Sequence, residues 1–398
     1  PHQISGGQKQ RVMIAMAMAA QPKLLIADEP TTALDAHVRR SILDLIKRLS
    51  KAHGLAVLFI SHDMDAVRYI ADRILVMQKG LLVEQAETTQ ILNNPQKAYT
   101  KGLITCKPPL RQSLHRLPTL DHLDPTPSPP IKASTTDAEP ILRVDHLVVD
   151  YGSTSGIFSK KKSVNRAVND VSFTLHSGKT LGIIGESGSG KSTIGNAILK
   201  FVSPTSGKIS FNQQDLSALK GSQLKAFRKA VQVIQQDPYS ALNPRQRIGE
   251  SIREPLAIHQ IGSKHEQVKR VEELLELVEL KAADYQKYPH EFSGGQRQRI
   301  CIARALTLNP QLIICDESVS ALDLSVQATI LNLLKSLQEQ LGLAYLFITH
   351  DLAVARFIAD DILVLQEGKV QEYGSSEQII DRPTSEYTKA LLEQVEFR

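Results

Sequence analysis

The chain has 398 residues, 42% hydrophobic and 22% charged, with a net charge of +5 at neutral pH. That length exceeds what one core usually holds, so two domains are expected, and the composition is ordinary for a soluble globular protein. So small a net charge gives no warrant for nucleic-acid binding; three scattered cysteines (Cys106, Cys301, Cys315) make neither a disulfide framework nor a cysteine-rich zinc site, and no apolar run approaches the roughly 18–20 residues that span a bilayer.

The chain opens inside a repeat. Residues 1–104 align with residues 289–392 at a constant offset of 288 without a gap, and 50 of those 104 positions are identical. Pro1 and His2 fall on Pro289 and His290, Asp28 on Asp316, Asp35 on Asp323, and His62 on His350. Two copies of one unit are therefore expected. The first keeps only about its last hundred residues, so the chain reads as part of a longer two-copy protein.

In the first copy, Ser5-Gly6-Gly7-Gln8 precedes a helix expected from near Gln8. A serine hydroxyl and glycine N–H groups at a helix N-terminus suit a phosphate. Next comes a short apolar strand, Leu24 to Ala27, ending in Asp28-Glu29, then an amphipathic helix to about residue 52 and a strand, Val57 to Ile60, that delivers His62. Residues 106–140 hold eight prolines among serines and threonines and are expected to form an extended, mobile linker with no buried core. Lys160-Lys161-Lys162 reads as a solvated loop.

The second copy begins near Ile141. Within it Leu181, Ile183 and Ile184 form an apolar strand, followed by Gly185-Glu186-Ser187-Gly188-Ser189-Gly190-Lys191-Ser192-Thr193 and a helical pattern. This is a phosphate-binding loop: the glycines let successive N–H groups curl around an anion, Lys191 reaches the β- and γ-phosphates, and the Ser192 hydroxyl binds Mg²⁺. Gln236 follows as a weaker candidate for Mg²⁺ and the attacking water. Ser293-Gly294-Gly295-Gln296 repeats the anion motif, and the strand Leu312 to Cys315 ends in Asp316 and Glu317. Asp316 is expected in the Mg²⁺ shell and Glu317 to orient or deprotonate the water. A strand from Tyr345 to Ile348 then delivers His350, which could contact the γ-phosphate. Alternating strands and helices indicate an α/β unit with a mostly parallel, covered sheet, whose ligands sit at the strands' carboxyl ends.

In this order and spacing, Gly185–Thr193, Gln236, Phe292–Gln296, Leu312–Glu317, Ser320–Asp323 and His350 resemble the nucleotide-binding subunit of an ATP-binding cassette (ABC) transporter, over nearly all of 141–398 and, in part, over 1–104. The resemblance implies a P-loop NTPase fold with an antiparallel β subdomain and a helical subdomain. It divides the chain into a partial cassette (1–105), the linker (106–140) and a complete cassette (141–398). It makes Tyr151 the aromatic that stacks on adenine, and Asp35 and Asp323 the residues of the D-loops. The run Gln236 to Pro244, the run Tyr288 to Arg299 and the run Tyr387 to Leu392 are similar to ATPases of the dipeptide/oligopeptide/nickel import family, of the fused two-cassette type. Ser318 stands where a proline is usual, and the C-terminal cysteine cluster of some members is absent, so no iron–sulfur site is expected.

The resemblance further implies MgATP, two integral membrane permease subunits, an extracytoplasmic substrate-binding protein, and a peripheral place on the cytoplasmic face of the plasma membrane. Cassettes of this kind pair head to tail. One complete composite site is then expected, with Tyr151, Gly185–Thr193, Gln236, Asp316, Glu317 and His350 facing Ser5–Gln8. The other would have Asp28, Glu29, His62 and Ser293–Gln296 but no phosphate loop. Hydrolysis would be in-line attack of water on the γ-phosphate. Two alternatives are a soluble two-cassette translation factor of the ABC-F kind, whose cassettes are usually joined by a charged helix, and a DNA-repair ATPase, disfavoured by the missing zinc cysteines and coiled-coil inserts. Without its central strand, the first copy is expected to expose an apolar edge and to be poorly stable.

Overall fold

The computed structural model describes residues 4–31, 36–112, 114–120, 126–127, 139–152 and 164–395. In the first copy, α1 (Gly6–Met18) leads to β1 (Leu24–Asp28), α2 (Ala36–His53) and β2 (Ala56–Ile60). Then come α3 (Met64–Ile70), the hairpin β3 (Arg73–Gln78) and β4 (Leu81–Glu87), α4 (Thr88–Asn93) and α5 (Ala98–Thr105). Two short strands follow, β5 (Leu114–Arg116) and β6 (Thr126–Pro127).

The second copy opens with β7 (Leu142–Gly152), β8 (Val164–Leu175), β9 (Thr180–Ile184), α6 (Lys191–Ile198), β10 (Ser206–Phe211) and β11 (Gln214–Asp215). After α7 (Gly221–Ala230) and β12 (Val231–Ile234) comes a helical part, α8 (Pro238–Ala241), α9 (Ile248–Ile258), α10 (Lys264–Leu277) and α11 (Gly294–Leu306). The chain then alternates through β13 (Leu312–Asp316), α12 (Leu324–Leu341), β14 (Ala344–Thr349), α13 (Leu352–Ile358), β15 (Asp361–Gln366), β16 (Lys369–Ser375), α14 (Ser376–Asp381) and α15 (Glu386–Val395).

The main sheet of the second copy runs β12-β13-β14-β9-β15-β16, parallel except for β16. Its central strands are apolar on both faces because both are covered: every residue of β9 and β14 is buried. A separate antiparallel sheet, β11-β10-β7-β8, shares one core with one face of the main sheet, while the helical part and α12 build the other. The expected mostly parallel sheet, β subdomain and helical subdomain are all observed.

The first copy has the counterparts of β13, β14, β15 and β16, and among the described residues no strand lies between β2 and β3. Its sheet is therefore split into two pairs, parallel β1-β2 and antiparallel β3-β4. Leu24 and Ile26 are 51% and 61% exposed, where Leu312 and Ile314 of the second copy are 0% and 1% exposed. Leu58, Ile60, Leu75 and Met77 are exposed on the same pattern, against buried Leu346, Ile348, Leu363 and Leu365. Burying a large apolar side chain contributes roughly 1.5–3 kcal/mol. Six such side chains, each about half exposed, forgo about 5–9 kcal/mol, comparable with the whole stability of a domain.

The proline-rich stretch departs from expectation at its start. Cys106 and Leu117 are fully buried in the core of the second copy, and Leu110 and Leu114 pack against it. Arg116 forks onto Glu339 of α12 at 3.1 and 2.6 Å, and Asn332 of α12 both donates to the Leu117 carbonyl (2.9 Å) and accepts from its N–H (2.8 Å). Prolines leave few N–H groups to satisfy, and the leucines between them supply apolar anchors, so this part is a strap rather than a free tether. The remainder of the expected linker, 121–125 and 128–138, lies outside the described residues, as do Pro1, His2, Asp35 and Lys160–Lys162.

Candidate nucleotide site

The phosphate loop joins β9 to α6, and its glycines are required by their surroundings. At Gly190 φ is +104°, and an added Cβ would stand 2.3 Å from the Ala167 carbonyl of β8. At Gly185 it would stand 2.1 Å from the Leu365 carbonyl of β15. The loop is thus clamped between the two sheets, and only glycine leaves room. Lys191 is 5% exposed and donates across the loop to the carbonyls of Gly185 (2.8 Å) and Glu186 (2.7 Å). The Ser189 hydroxyl is buried without a hydrogen-bond partner in the structure. A cationic head curled into the loop, an unpaired hydroxyl and a new helix N-terminus together fit a polyphosphate.

The carboxyl ends of β12, β13 and β14 place the remaining groups beside this loop. Ser192 Oγ donates to Asp316 Oδ1 at 3.0 Å. Glu317 Oε2 accepts from Gln236 Nε2 at 2.9 Å and lies 3.5 Å from His350 Nδ1. Glu317 has φ +46°, in the left-handed region, with its N–H on the Ile348 carbonyl (2.9 Å) and its own carbonyl accepting from Ser320 Oγ (2.8 Å). This twist turns the carboxylate sideways from the strand end, toward Gln236 and His350. Burial pushes the Asp316 carboxyl up; the Ser192 hydrogen bond opposes this, and the Glu317 charge adds to it. The His350 hydrogen bond outweighs burial at Glu317 and holds its carboxyl below the usual range. A hydroxyl, an amide oxygen and a carboxylate are hard donors, so Ser192, Gln236 and Asp316 suit Mg²⁺.

The first copy keeps the same pairing of acid and histidine. Glu29 has φ +47° with its N–H on the Ile60 carbonyl, and Glu29 Oε1 lies 2.9 Å from His62 Nδ1. The two anion motifs are also alike. Ser5 and Ser293 each accept from the N–H of the glutamine three residues on, while Gln8 and Gln296 reach back to the serine N–H groups. Gly7 and Gly295 admit Val38 and Val326, where a Cβ would come within 2.3 Å. Gly6 and Gly294 open the two helices. Tyr151 is exposed near the end of β7, opposite Asn165 of β8. The copies meet through α5 on α12 and α15 on α2.

Sequence reasoning did not find Ser320 as the support of Glu317, nor the Ala167 and Leu365 carbonyls as the walls of the loop. Backbone atoms leave no trace in a sequence. The Ser320 signal was available only as a hydroxyl three residues past a twisted acid.

The family profile described as "ABC transporter" matches residues 1–32 and 168–320, and that of "Oligopeptide/dipeptide transporter, C-terminal region" matches residues 83–131. A dimeric solved structure titled MJ0796, a bacterial ABC transporter cassette, is 31% identical with a TM-score of 0.52, and the match covers 59% of this chain and 98% of that one. The chain belongs to the ABC transporter ATP-binding family. Among curated ABC relatives, the glutathione import ATP-binding protein GsiA of Escherichia coli K12 is 48% identical over 402 residues, covering 99% of this chain and 64% of the relative. That of Pectobacterium atrosepticum is 46% identical over 405 residues, with the same coverage. This chain thus spans just under two thirds of the length of those relatives. A structure of cbiO1 from Clostridium perfringens, with 24% identity and a TM-score of 0.54 over 66% of this chain and 96% of that one, shares the fold.

Proposed function

We propose that the chain binds and hydrolyses ATP as part of the energy-supplying subunit of an ABC importer for peptides or peptide-like compounds. The observation that carries this reading is the Glu317 carboxylate, held by Gln236 and His350 next to the Ser192–Asp316 pair and the clamped phosphate loop. Lys191 and the loop N–H groups hold the phosphates, Tyr151 takes the adenine, and Ser192, Asp316 and Gln236 hold the metal. Glu317 accepts a proton from the attacking water, with His350 keeping the carboxylate ionised and turned toward the site. Mg²⁺, when bound with the nucleotide, supplies positive charge to the β- and γ-phosphates. Ser5–Gln8 closes the site from the first copy in a head-to-tail pairing, and Ser293–Gln296 faces Asp28, Glu29 and His62 in the other.

The import reading is supported by relatives named as glutathione import ATP-binding proteins, and by the oligopeptide/dipeptide profile. Permease subunits and an extracytoplasmic binding protein would be the partners, at the cytoplasmic membrane face. No helix among the described residues is long and apolar enough to cross a membrane. The translation-factor alternative is not favoured by these relatives.

MgATP turnover by the purified chain, beside Glu317→Gln and Lys191→Ala, tests the reading. Glu317→Gln should keep ATP binding and lose turnover by about a hundredfold or more, and Lys191→Ala should lose binding. Turnover that survives Glu317→Gln would remove the proposed base. Binding without turnover in the wild type would mean that Ser5–Gln8 does not close the site.

A further inference from the structure

The internal repeat places on α2 a groove at the positions equivalent to those that hold the strap on α12. On α12 the strap is read by four side chains one helical turn or less apart. Asn332 pairs with both backbone groups of Leu117, Lys335 reaches the Leu114 carbonyl (3.4 Å), Ser336 accepts from Arg116 (3.2 Å), and Glu339 takes the Arg116 fork. Their counterparts on α2 are Asp44, Lys47, Arg48 and Lys51. These four, with Leu45 and Tyr69, line a surface groove of about 640 Å³. The counterpart of Phe357 is Tyr69, and Lys47 lies 3.8 Å from its ring centre as Lys335 lies 4.5 Å from that of Phe357.

The lysine-over-ring pair is thus repeated while the charge beside it is reversed. Lys51 stands for Glu339 and Arg48 for Ser336, so a strap carrying arginine at the position of Arg116 would meet two cations. An acid there would meet two partners. Lys47 retains the donor for an incoming carbonyl, whereas Asp44, in place of Asn332, already accepts from the Tyr69 hydroxyl and lies 3.6 Å from Arg40 Nε. Access is repeated too, because α15 lies on α2 as α5, which feeds the strap, lies on α12.

We propose that the α2 groove docks an extended acidic peptide segment, laid across α2 as Leu114–Leu117 lies across α12, with an aspartate or glutamate between Lys51 and Arg48 and a leucine beside Leu45. The charge reversal keeps the chain's own strap on α12 and reserves α2 for the acidic segment.

The test uses the full chain and two fluorescent peptides. One carries the strap sequence Ser-Leu-His-Arg-Leu-Pro-Thr; the other replaces its basic pair, as Ser-Leu-Asp-Asp-Leu-Pro-Thr. Anisotropy should show saturable binding of the acidic peptide and none of the basic one. In the double variant Arg48→Ser, Lys51→Glu, both sites exposed on α2, affinity for the acidic peptide should fall about tenfold or more and the basic peptide should now bind. Failure of the acidic peptide to bind, or undiminished binding to the double variant, overturns the proposal. So does displacement by inorganic phosphate as effective as by unlabelled acidic peptide, which would make the groove a simple anion site.

Discussion

Gly190 carries the phosphate loop's dependence on a single missing side chain. Its positive φ alone strains any other residue by roughly 1–3 kcal/mol, and the Ala167 carbonyl 2.3 Å from the would-be Cβ leaves no local escape. Gly190→Ala is expected to lower the melting temperature of the second copy and to remove ATP binding, read by calorimetry with and without nucleotide. Gly178→Ala, with a positive φ but nothing within 4 Å of the added Cβ, separates strain from collision and should leave nucleotide binding intact. The sequence made the loop legible because Gly, Lys and Ser stand at fixed spacing after an apolar strand. It did not make the clamp legible, since Ala167 and Leu365 act through carbonyl groups on distant strands. Glu317 falls between these cases: its chemistry was readable from the acidic pair, but not its left-handed backbone. The same φ at Glu29 suggests that the geometry comes from the strand end rather than from either copy's surroundings.

Among elements, the two β1-β2 and β13-β14 pairs offer a matched experiment. They have the same register, parallel and without a bulge, yet only the second is flanked by β12 and β9 and covered on both faces. Amide hydrogen exchange of the full chain should therefore find Leu58–Ile60 far less protected than Leu346–Ile348, by several orders of magnitude if the second copy exchanges only through global unfolding. Equal protection would mean that the exposed apolar face is covered in solution. A second element-scale device is a buried acid that seats the last helix. Glu372 of β16 accepts from Thr384 N–H (2.8 Å), Thr384 Oγ1 (2.7 Å) and Ser385 N–H (3.2 Å), and Glu84 of β4 accepts likewise from Gln96 and Lys97. Burial pushes the Glu372 carboxyl up, but these hydrogen bonds outweigh it and hold it below the usual carboxylate range. A depressed carboxyl stabilises the fold above its unfolded value and loses that contribution as pH falls through its folded one. Glu372→Gln should thus cost about 1–3 kcal/mol at pH 7, and the gap to wild type should close as acidification passes through the lowered carboxyl pKa in denaturant titrations. A gap independent of pH would assign the loss to packing alone.

At the scale of the whole molecule, the repeat was the most informative feature of the sequence, because a gapless offset of 288 transfers every element of one copy onto the other. The split of the first sheet followed from it, since the copy of β9 is missing from the alignment. The strap was not legible: a proline-rich composition reads as a tether, and only the fold shows that the leucines between the prolines reach a core. Nor did periodicity indicate that α5 and α15 would each rest on the other copy's long helix. That arrangement changes what a linker means in this chain. With Cys106 sealed in the second core directly after α5, the copies are not two bodies on a string whose encounter rate depends on tether length. They are joined by packing, at α5 on α12 and again at α15 on α2. Lengthening the proline-rich stretch beyond Leu117 should then leave the spacing of the copies unchanged, because α5 on α12, α15 on α2 and the Leu114–Leu117 anchors all hold without it.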